Sequence, residues 1–290
     1  MRLIRVGPPG EESPGVLASD TTYVDVSDVV GDFDARFFQD GGVDAVRPLV
    51  RERVAAGLVH DLSGLRVGPP VARPHQILCI GLNYRDHAAE TGQPVPDEPI
   101  VFTKAPNTLV GPDDDVLIPR GSTKTDWEVE LAIVIGRRSS YLPDAEAARA
   151  VIAGYAVCND VSERAFQLER GGQWCKGKSA ATFNPMGPWL VTADEVGDPS
   201  SLELWLDVNG ERRQRGSTST MVFDPATIVQ YLSQFFVLEP GDVINTGTPP
   251  GVGMGMQPPV FLRAGDVMEL GIGGLGRQRQ RVWSAVADGV

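Results

Sequence analysis

The chain has 290 residues, enough for one large domain or a small one joined to a large one. Its apolar share of 42% and charged share of 22% are those of a globular protein, and 33 glycines with 23 prolines stay below the range of disorder while pointing to a turn-rich, β-rich body. A net charge of −12 gives no generic attraction for nucleic acid or an anionic membrane, so neither is expected as a partner, and an anionic substrate would need positive charge supplied within its site.

The opening stretch, MRLIRVGPPGEESPG, lacks the apolar segment of a signal peptide, and no run approaches a membrane span. Three cysteines, Cys79, Cys158 and Cys175, have no zinc or CxxC spacing and read as reduced thiols, so a cytoplasmic protein is expected. Residues 1–72 read as a small α+β unit, with alternation in TTYVDVSDV and a helix around VRPLVRERVAAG. The Pro-rich RVGPPVARPHQ reads as a linker, and QILCIGLNY opens a larger unit over residues 73–290. In GLNYRDHAAE, His87 and Glu90 are spaced to share one face of a helical turn. Either they form an ordinary surface pair, or Glu90 orients His87 as a base able to deprotonate water.

TDWEVELAIVIG follows. Strand side chains alternate, so Glu128 and Glu130 point the same way, while Trp127, Val129, Leu131, Ile133 and Ile135 form an apolar face. Two like charges side by side fit an edge strand with a solvated acidic end, or a strand that presents paired carboxylates to a cation. After the apolar AGYAVC comes Asp160, by position either a helix N-cap or a third carboxylate. Three carboxylates would suit a hard divalent ion, Mg²⁺, Mn²⁺ or Ca²⁺; zinc is disfavoured because no His or Cys is placed to help.

The chain carries only four lysines, Lys104, Lys124, Lys176 and Lys178, against 22 arginines. Lysine in CKGKS is then a candidate for a compact, tunable ammonium. LELWLDVNGE alternates Leu202, Leu204, Leu206 and Val208 before Asn209-Gly210, a hairpin signal. DPATIVQYLSQFF reads as a helix capped by Asp224 with Pro225 at its first position. LEPGDVINTG and FLRAGDVMELG read as two copies of one device, a turn feeding a strand. NTGTPPGVGMGM lacks the Walker Lys-Ser/Thr and the glycine pattern that opens a helix, and Pro249-Pro250 remove amide donors, which excludes a nucleotide loop. A rigid loop presenting Thr248 and backbone amides to a substrate is the remaining reading.

Taken together, GLNYRDHAAE, DWEVELAIVIG, CNDVSERAFQ, GGQWCKGKS, FNPMGPWLV, NTGTPPGVG and GLGRQRQ resemble the fumarylacetoacetate hydrolase family, in the family's order over roughly residues 75–281. The resemblance implies a β-rich α+β fold, a mixed β-roll with a small N-terminal domain appended, in a homodimer. It implies Glu128, Glu130 and Asp160 as metal ligands for Mg²⁺ or Mn²⁺, with Ca²⁺ as a substitute. It implies His87 and Glu90 as a water-activating dyad on a lid helix that is mobile in several members, and Lys178 (not Lys176) as support for a developing enolate. Thr248, Arg164 and Gln167 are implied near the substrate. Relatives usually carry Asp where this chain has Ala181, so the resemblance leaves specificity open at that position.

The implied reaction is hydrolysis of the C–C bond of a 2,4-diketo acid to pyruvate and a carboxylic acid. The bacterial branch most resembled is associated with 2,4-diketo-3-deoxy sugar acids and acylpyruvates. Oxaloacetate decarboxylation, dienoate hydration and keto–enol isomerisation use the same kind of site, and a binding relative without activity is the alternative of another class. Three carboxylates, one dication and an anionic keto acid leave negative charge over, which Lys178 with Arg164 or Arg85 is expected to offset.

Overall fold

A computed structural model of the chain describes residues 1–90 and 92–285. Its long sheet runs, in spatial order, His60–Asp61, Thr22–Asp25, Ser13–Leu17, Arg2–Val6, Asn184–Thr192, Ile152–Asn159, Val129–Ile135, Val243–Asn245, Ile77–Gly81 and Ile100–Lys104. These neighbours are antiparallel except Val243–Asn245 and Ile77–Gly81, which run parallel with Ile244 opposite Leu78. A second sheet of five strands, Glu211–Ser217, Glu203–Val208, Val267–Ile272, Gly276–Ser284 and Val116–Ile118, shares a core with the first. The fold is the strand-rich α+β class with mixed sheets that was expected. No helix among the described residues is long and apolar enough to cross a membrane.

The strand Val129–Ile135 pairs antiparallel on both sides, with Ile133 opposite Tyr155 and Ile244. It is interior, which rules out an edge strand with a solvated acidic end. Val129, Leu131, Ile133 and Ile135 enter a core with Leu204, Leu206, Leu270 and Ile228. On the other face Ala132 and Val134 enter a second core with Phe37, Val50 and Leu3. A strand covered on both faces should read as an apolar run, and Glu130 is the residue that breaks it. Burying that carboxylate is costly unless something compensates it.

Residues 1–72 contribute to that second core and extend the long sheet through the antiparallel pairing of Leu3 with Leu190. The units expected over 1–72 and 73–290 therefore share one sheet. The Pro-rich stretch between them is not a loose tether. Val67–Gly68 pairs with Arg5–Val6, Val71 is fully buried, and the Ala72 amide donates to the Phe33 carbonyl at 2.9 Å.

Local chemistry accounts for several elements. Asn209 and Gly210, both at positive φ, turn the chain from Glu203–Val208 into Glu211–Ser217, as a two-residue hairpin requires. The helix Pro225–Leu232 starts where the Asp224 carboxylate accepts the Thr227 amide at 2.7 Å. The two copies of the turn device have one mechanism: Asp242 accepts from the Glu239 amide at 2.8 Å, and Asp266 from the Arg263 amide at 2.7 Å. In each, the preceding glycine takes positive φ and the strand follows.

Candidate metal and active site

The interior strand and its antiparallel neighbour bring three acids together. Val129 lies opposite Asn159, so Glu128, Glu130 and Asp160 converge where the two strands meet. Ligand oxygens from all three lie within 4.8 Å of one another, and all three residues are buried. Asp160 is not an N-cap: the following helix, Arg164–Leu168, is capped by Glu163.

Cations surround two of the three acids. Lys178 Nζ bridges Glu128 Oε2 at 2.7 Å and Asp160 Oδ2 at 2.8 Å. Arg164 Nη2 lies 2.7 Å from Glu128 Oε1, while its Nε donates to Asp126 Oδ2 at 2.8 Å and its Nη1 to Gln167 Oε1 at 3.1 Å. Lys104, fully buried, donates to Asp160 Oδ1 at 2.5 Å and to the Val161 carbonyl at 3.1 Å. Glu130 has no ion pair of its own among the described residues, and its Oε2 accepts the Gly247 amide at 2.7 Å.

The ionisation of the triad follows from these partners. Burial opposes charge on Glu128, but Lys178 and Arg164 outweigh it and hold the carboxyl down at about 2. Burial, then the charges of Asp160 and Glu128, push Glu130 well above the usual carboxylate range. Lys178 is pushed above its ordinary value, because Asp160 and Glu128 outweigh the effect of burial. A divalent cation among the three acids would remove the repulsion that raises Glu130. The donors are all carboxylate oxygens, with no His or Cys among them, which fits a hard ion such as Mg²⁺ or Mn²⁺.

Lys104 went unassigned in the sequence because its strand, Ile100–Lys104, is distant in the chain and gives no local signal. It reaches Asp160 because that strand forms the sheet edge next to Ile77–Gly81, with Lys104 opposite Ile77. Removing one partner of a buried ion pair strands the other where it has no second partner. Asp160 keeps Lys178 in Lys104→Met, so the expected loss is that of one charged hydrogen bond, about 1.5–3 kcal/mol of unfolding free energy in the metal-free protein, read by denaturant titration; an unchanged midpoint would show that the pair adds nothing.

The dyad comes from the segment after Ile77–Gly81. Asn83 anchors it, donating to the carbonyls of Thr246 at 2.7 Å and Phe223 at 3.0 Å and accepting from the Phe223 amide at 2.8 Å. The short helix Arg85–Glu90 then places His87, which is buried, with Nδ1 3.1 Å from Glu90 Oε2. Glu90 is itself held by the Gly251 amide, at 2.9 Å from Oε1 and 3.1 Å from Oε2. Gly251 sits at φ +102°, and an added Cβ would lie 1.9 Å from the Arg213 carbonyl oxygen, so only glycine fits there.

His87, Glu90, Glu128 and Glu130 line one cavity of about 680 Å³, which also meets Lys178, Arg164, Gln167 and Thr248, while Asp160 lies beneath its lining. Two expectations change. Arg85 does not line this cavity: it is exposed and donates to the Met221 carbonyl at 2.7 Å. The Gly/Pro loop amides are spent on protein carboxylates, Gly251 on Glu90 and Gly253 and Met254 on Asp126, rather than offered to the cavity. Thr248 Oγ1 likewise donates to the Val129 carbonyl at 2.9 Å and accepts from Gln214 at 2.8 Å. Ala181 is exposed and outside the cavity lining. Lys176 is exposed too, its ammonium on the Arg170 carbonyl.

The cluster of Asp126, Glu128, Glu130, Asp160, Lys104, Lys178 and Arg164 pairs four acids with three cations. With a divalent ion added, the ionised cluster is net positive by one charge, which suits an anion arriving in the cavity. Asp126 has a further part. It joins Arg164 to the amides of Gly253 and Met254, and so ties the surroundings of the acid triad to a cavity wall.

Residues 76–283 match the family model described as fumarylacetoacetate (FAA) hydrolase, C-terminal. A relative from Burkholderia multivorans, provisionally named a hydrolase, is 53% identical over 283 residues, 97% of this chain and 98% of its own length. A 2-hydroxyhepta-2,4-diene-1,7-dioate isomerase from Mycobacterium marinum has the same fold at a TM-score of 0.76, with 30% identity over 98% of each chain. A maleylpyruvate hydrolase from Sphingobium sp. SYK-6, solved with manganese(II) and pyruvate, matches at a TM-score of 0.81 with 29% identity, covering 99% of this chain and 100% of that one.

Proposed function

The chain belongs to the fumarylacetoacetate hydrolase family, and from that premise we propose that it is a divalent-metal-dependent hydrolase that cleaves a 2,4-diketo acid to pyruvate and a carboxylic acid. The observation that carries the reading is the buried triad of Glu128, Glu130 and Asp160, two of whose members, Glu128 and Glu130, line one cavity with the His87–Glu90 pair. The manganese and pyruvate in the Sphingobium relative support the same metal class and product here.

Glu128, Glu130 and Asp160 would hold Mg²⁺ or Mn²⁺. When bound, the ion supplies a Lewis acid for the oxygens of the 2-oxo carboxylate end. Glu90 accepts from His87 Nδ1–H, which leaves the lone pair on Nε2 as the base. His87 takes a proton from water, and the hydroxyl adds to C4. The C3–C4 bond breaks, its electrons pass to the pyruvate enolate, and the proton held by His87 ends on C3. Lys178 meets the enolate's negative charge as it develops, a role preorganised by its ion pairs with Glu128 and Asp160.

The Mycobacterium marinum relative favours a second reading, isomerisation of an unsaturated oxo acid, in which His87 would move a proton between carbons without adding water. Product analysis separates the two. Hydrolysis yields one pyruvate and one carboxylic acid per substrate consumed, whereas isomerisation changes the ultraviolet spectrum and releases no pyruvate.

A further inference from the structure

The cavity is polarised. Among the described residues, every charged side chain that lines it belongs to one of two groups, Glu128 and Glu130 with Lys178 and Arg164, or the His87–Glu90 pair. The rest of its wall is dominated by Phe102, Trp174, Leu168, Met254, Met256 and Pro258; its uncharged polar side chains are the amides of Gln93, Gln167 and Gln257 and the Thr248 hydroxyl, which is already bonded to the Val129 carbonyl and to Gln214. This wall is built. Trp174 packs edge-on against Phe102 at 5.2 Å between centroids, over the strand end at Gly81, where a Cβ would come within 2.5 Å of the indole. Lys178 Nζ stands 5.0 Å from the Phe102 ring centroid, so this aromatic pair begins where the charged end stops.

We propose that the group carried on C4 is an uncharged, apolar acyl chain, rather than a chain ending in a second carboxylate or one bearing several hydroxyls. This rests on the hydrolase reading above and names its substrate class. A second carboxylate would need a cation of its own. Arg164 is committed to Asp126 and Glu128, and Lys178 to Glu128 and Asp160. Arg213 stands behind Met256, its Nη1 3.9 Å from the sulfur and its Nη2 2.7 Å from Glu211, and it is not among the residues that line the cavity. A polyhydroxylated chain would have to exchange water for thioether, proline and aromatic surface without enough partners to replace its hydrogen bonds. An apolar chain loses nothing on entering, and the flexible methionines adapt to its shape. The volume of about 680 Å³ leaves room for a chain well beyond the pyruvoyl head.

The test uses Mn²⁺-loaded protein and acylpyruvates that differ only in the acyl group: butanoyl, hexanoyl and benzoyl, a hexanoyl chain with a terminal carboxylate, and a polyhydroxylated chain. Beside them, binding of the uncleavable 2-oxooctanoate and 2-oxooctanedioate is measured by calorimetry. The expected result is kcat/KM at least about tenfold higher for hexanoyl than for its carboxylated counterpart, rising roughly fourfold per methylene until the wall is covered. Leu168→Arg, at an exposed wall position, is expected to reverse that order. Equal or better cleavage of the carboxylated or polyhydroxylated chain, or an order unmoved by Leu168→Arg, would overturn the proposal while leaving the hydrolase reading intact. If no acylpyruvate releases pyruvate, the hydrolase reading fails and the binding pair decides. Tighter 2-oxooctanoate supports the apolar wall; equal or tighter 2-oxooctanedioate, or binding of neither, rejects it.

Discussion

Glu130→Gln is expected to lower metal-dependent turnover by roughly 10³-fold or more, the several kcal/mol that a Lewis acid contributes at a developing charge. The same change should not destabilise the metal-free protein. Glu128 and Asp160 are each balanced by buried cations, but Glu130 has only the Gly247 amide and sits against two other carboxylates. An amide of the same shape keeps an acceptor oxygen for Gly247 and removes a repelling charge. Stability and activity should therefore separate: the denaturation midpoint without metal holds or rises, while Mn²⁺ affinity falls by more than the about 10- to 100-fold typical of residues that merely support a ligand. A Glu130→Gln protein with wild-type Mn²⁺ affinity and turnover would remove this residue from the metal site.

His87→Ala is expected to cost about 10²- to 10⁴-fold in turnover on the preferred diketo acid, the usual range for a general base. The loss should appear in kcat with Mn²⁺ affinity unchanged, because His87 belongs to the helix Arg85–Glu90 and not to the acid triad. Glu90→Gln should give a smaller loss, since the amide can still be placed by Gly251 and still meet His87 Nδ1, but as a weaker hydrogen-bond partner than a carboxylate. Wild-type turnover in His87→Ala would mean that water is activated elsewhere or not needed.

The site was legible where chemistry is written locally. Two glutamates one residue apart must share a strand face, and His87 and Glu90 at helical spacing must share a helix face. The hairpin at Asn209-Gly210 and the cap at Asp224 were readable for the same reason: both depend on neighbours in sequence. What was hidden depends on strand order. Nothing near Lys104 announces that its strand will end at Asp160. Nothing around Asp126 reveals that it gathers Arg164 and two amides from the 250s loop. Composition also misled. The prolines of residues 66–76 suggested a tether, yet Val71 is in the core, and Arg85 looked like a substrate ligand until its guanidinium was found on the Met221 carbonyl. Glycine and proline in NTGTPPGVGMGM pointed to a rigid loop with amides to offer, but the amides of Gly251, Gly253 and Met254 hold the protein's own Glu90 and Asp126.

The most direct test of the central claim is pyruvate release from an acylpyruvate by protein stripped of metal, before and after addition of Mn²⁺ or Mg²⁺, with oxaloacetate assayed alongside. The account predicts no release without metal, and after its addition one pyruvate and one carboxylic acid per acylpyruvate consumed. Release that is indifferent to metal, or pyruvate formed from oxaloacetate alone, would contradict it.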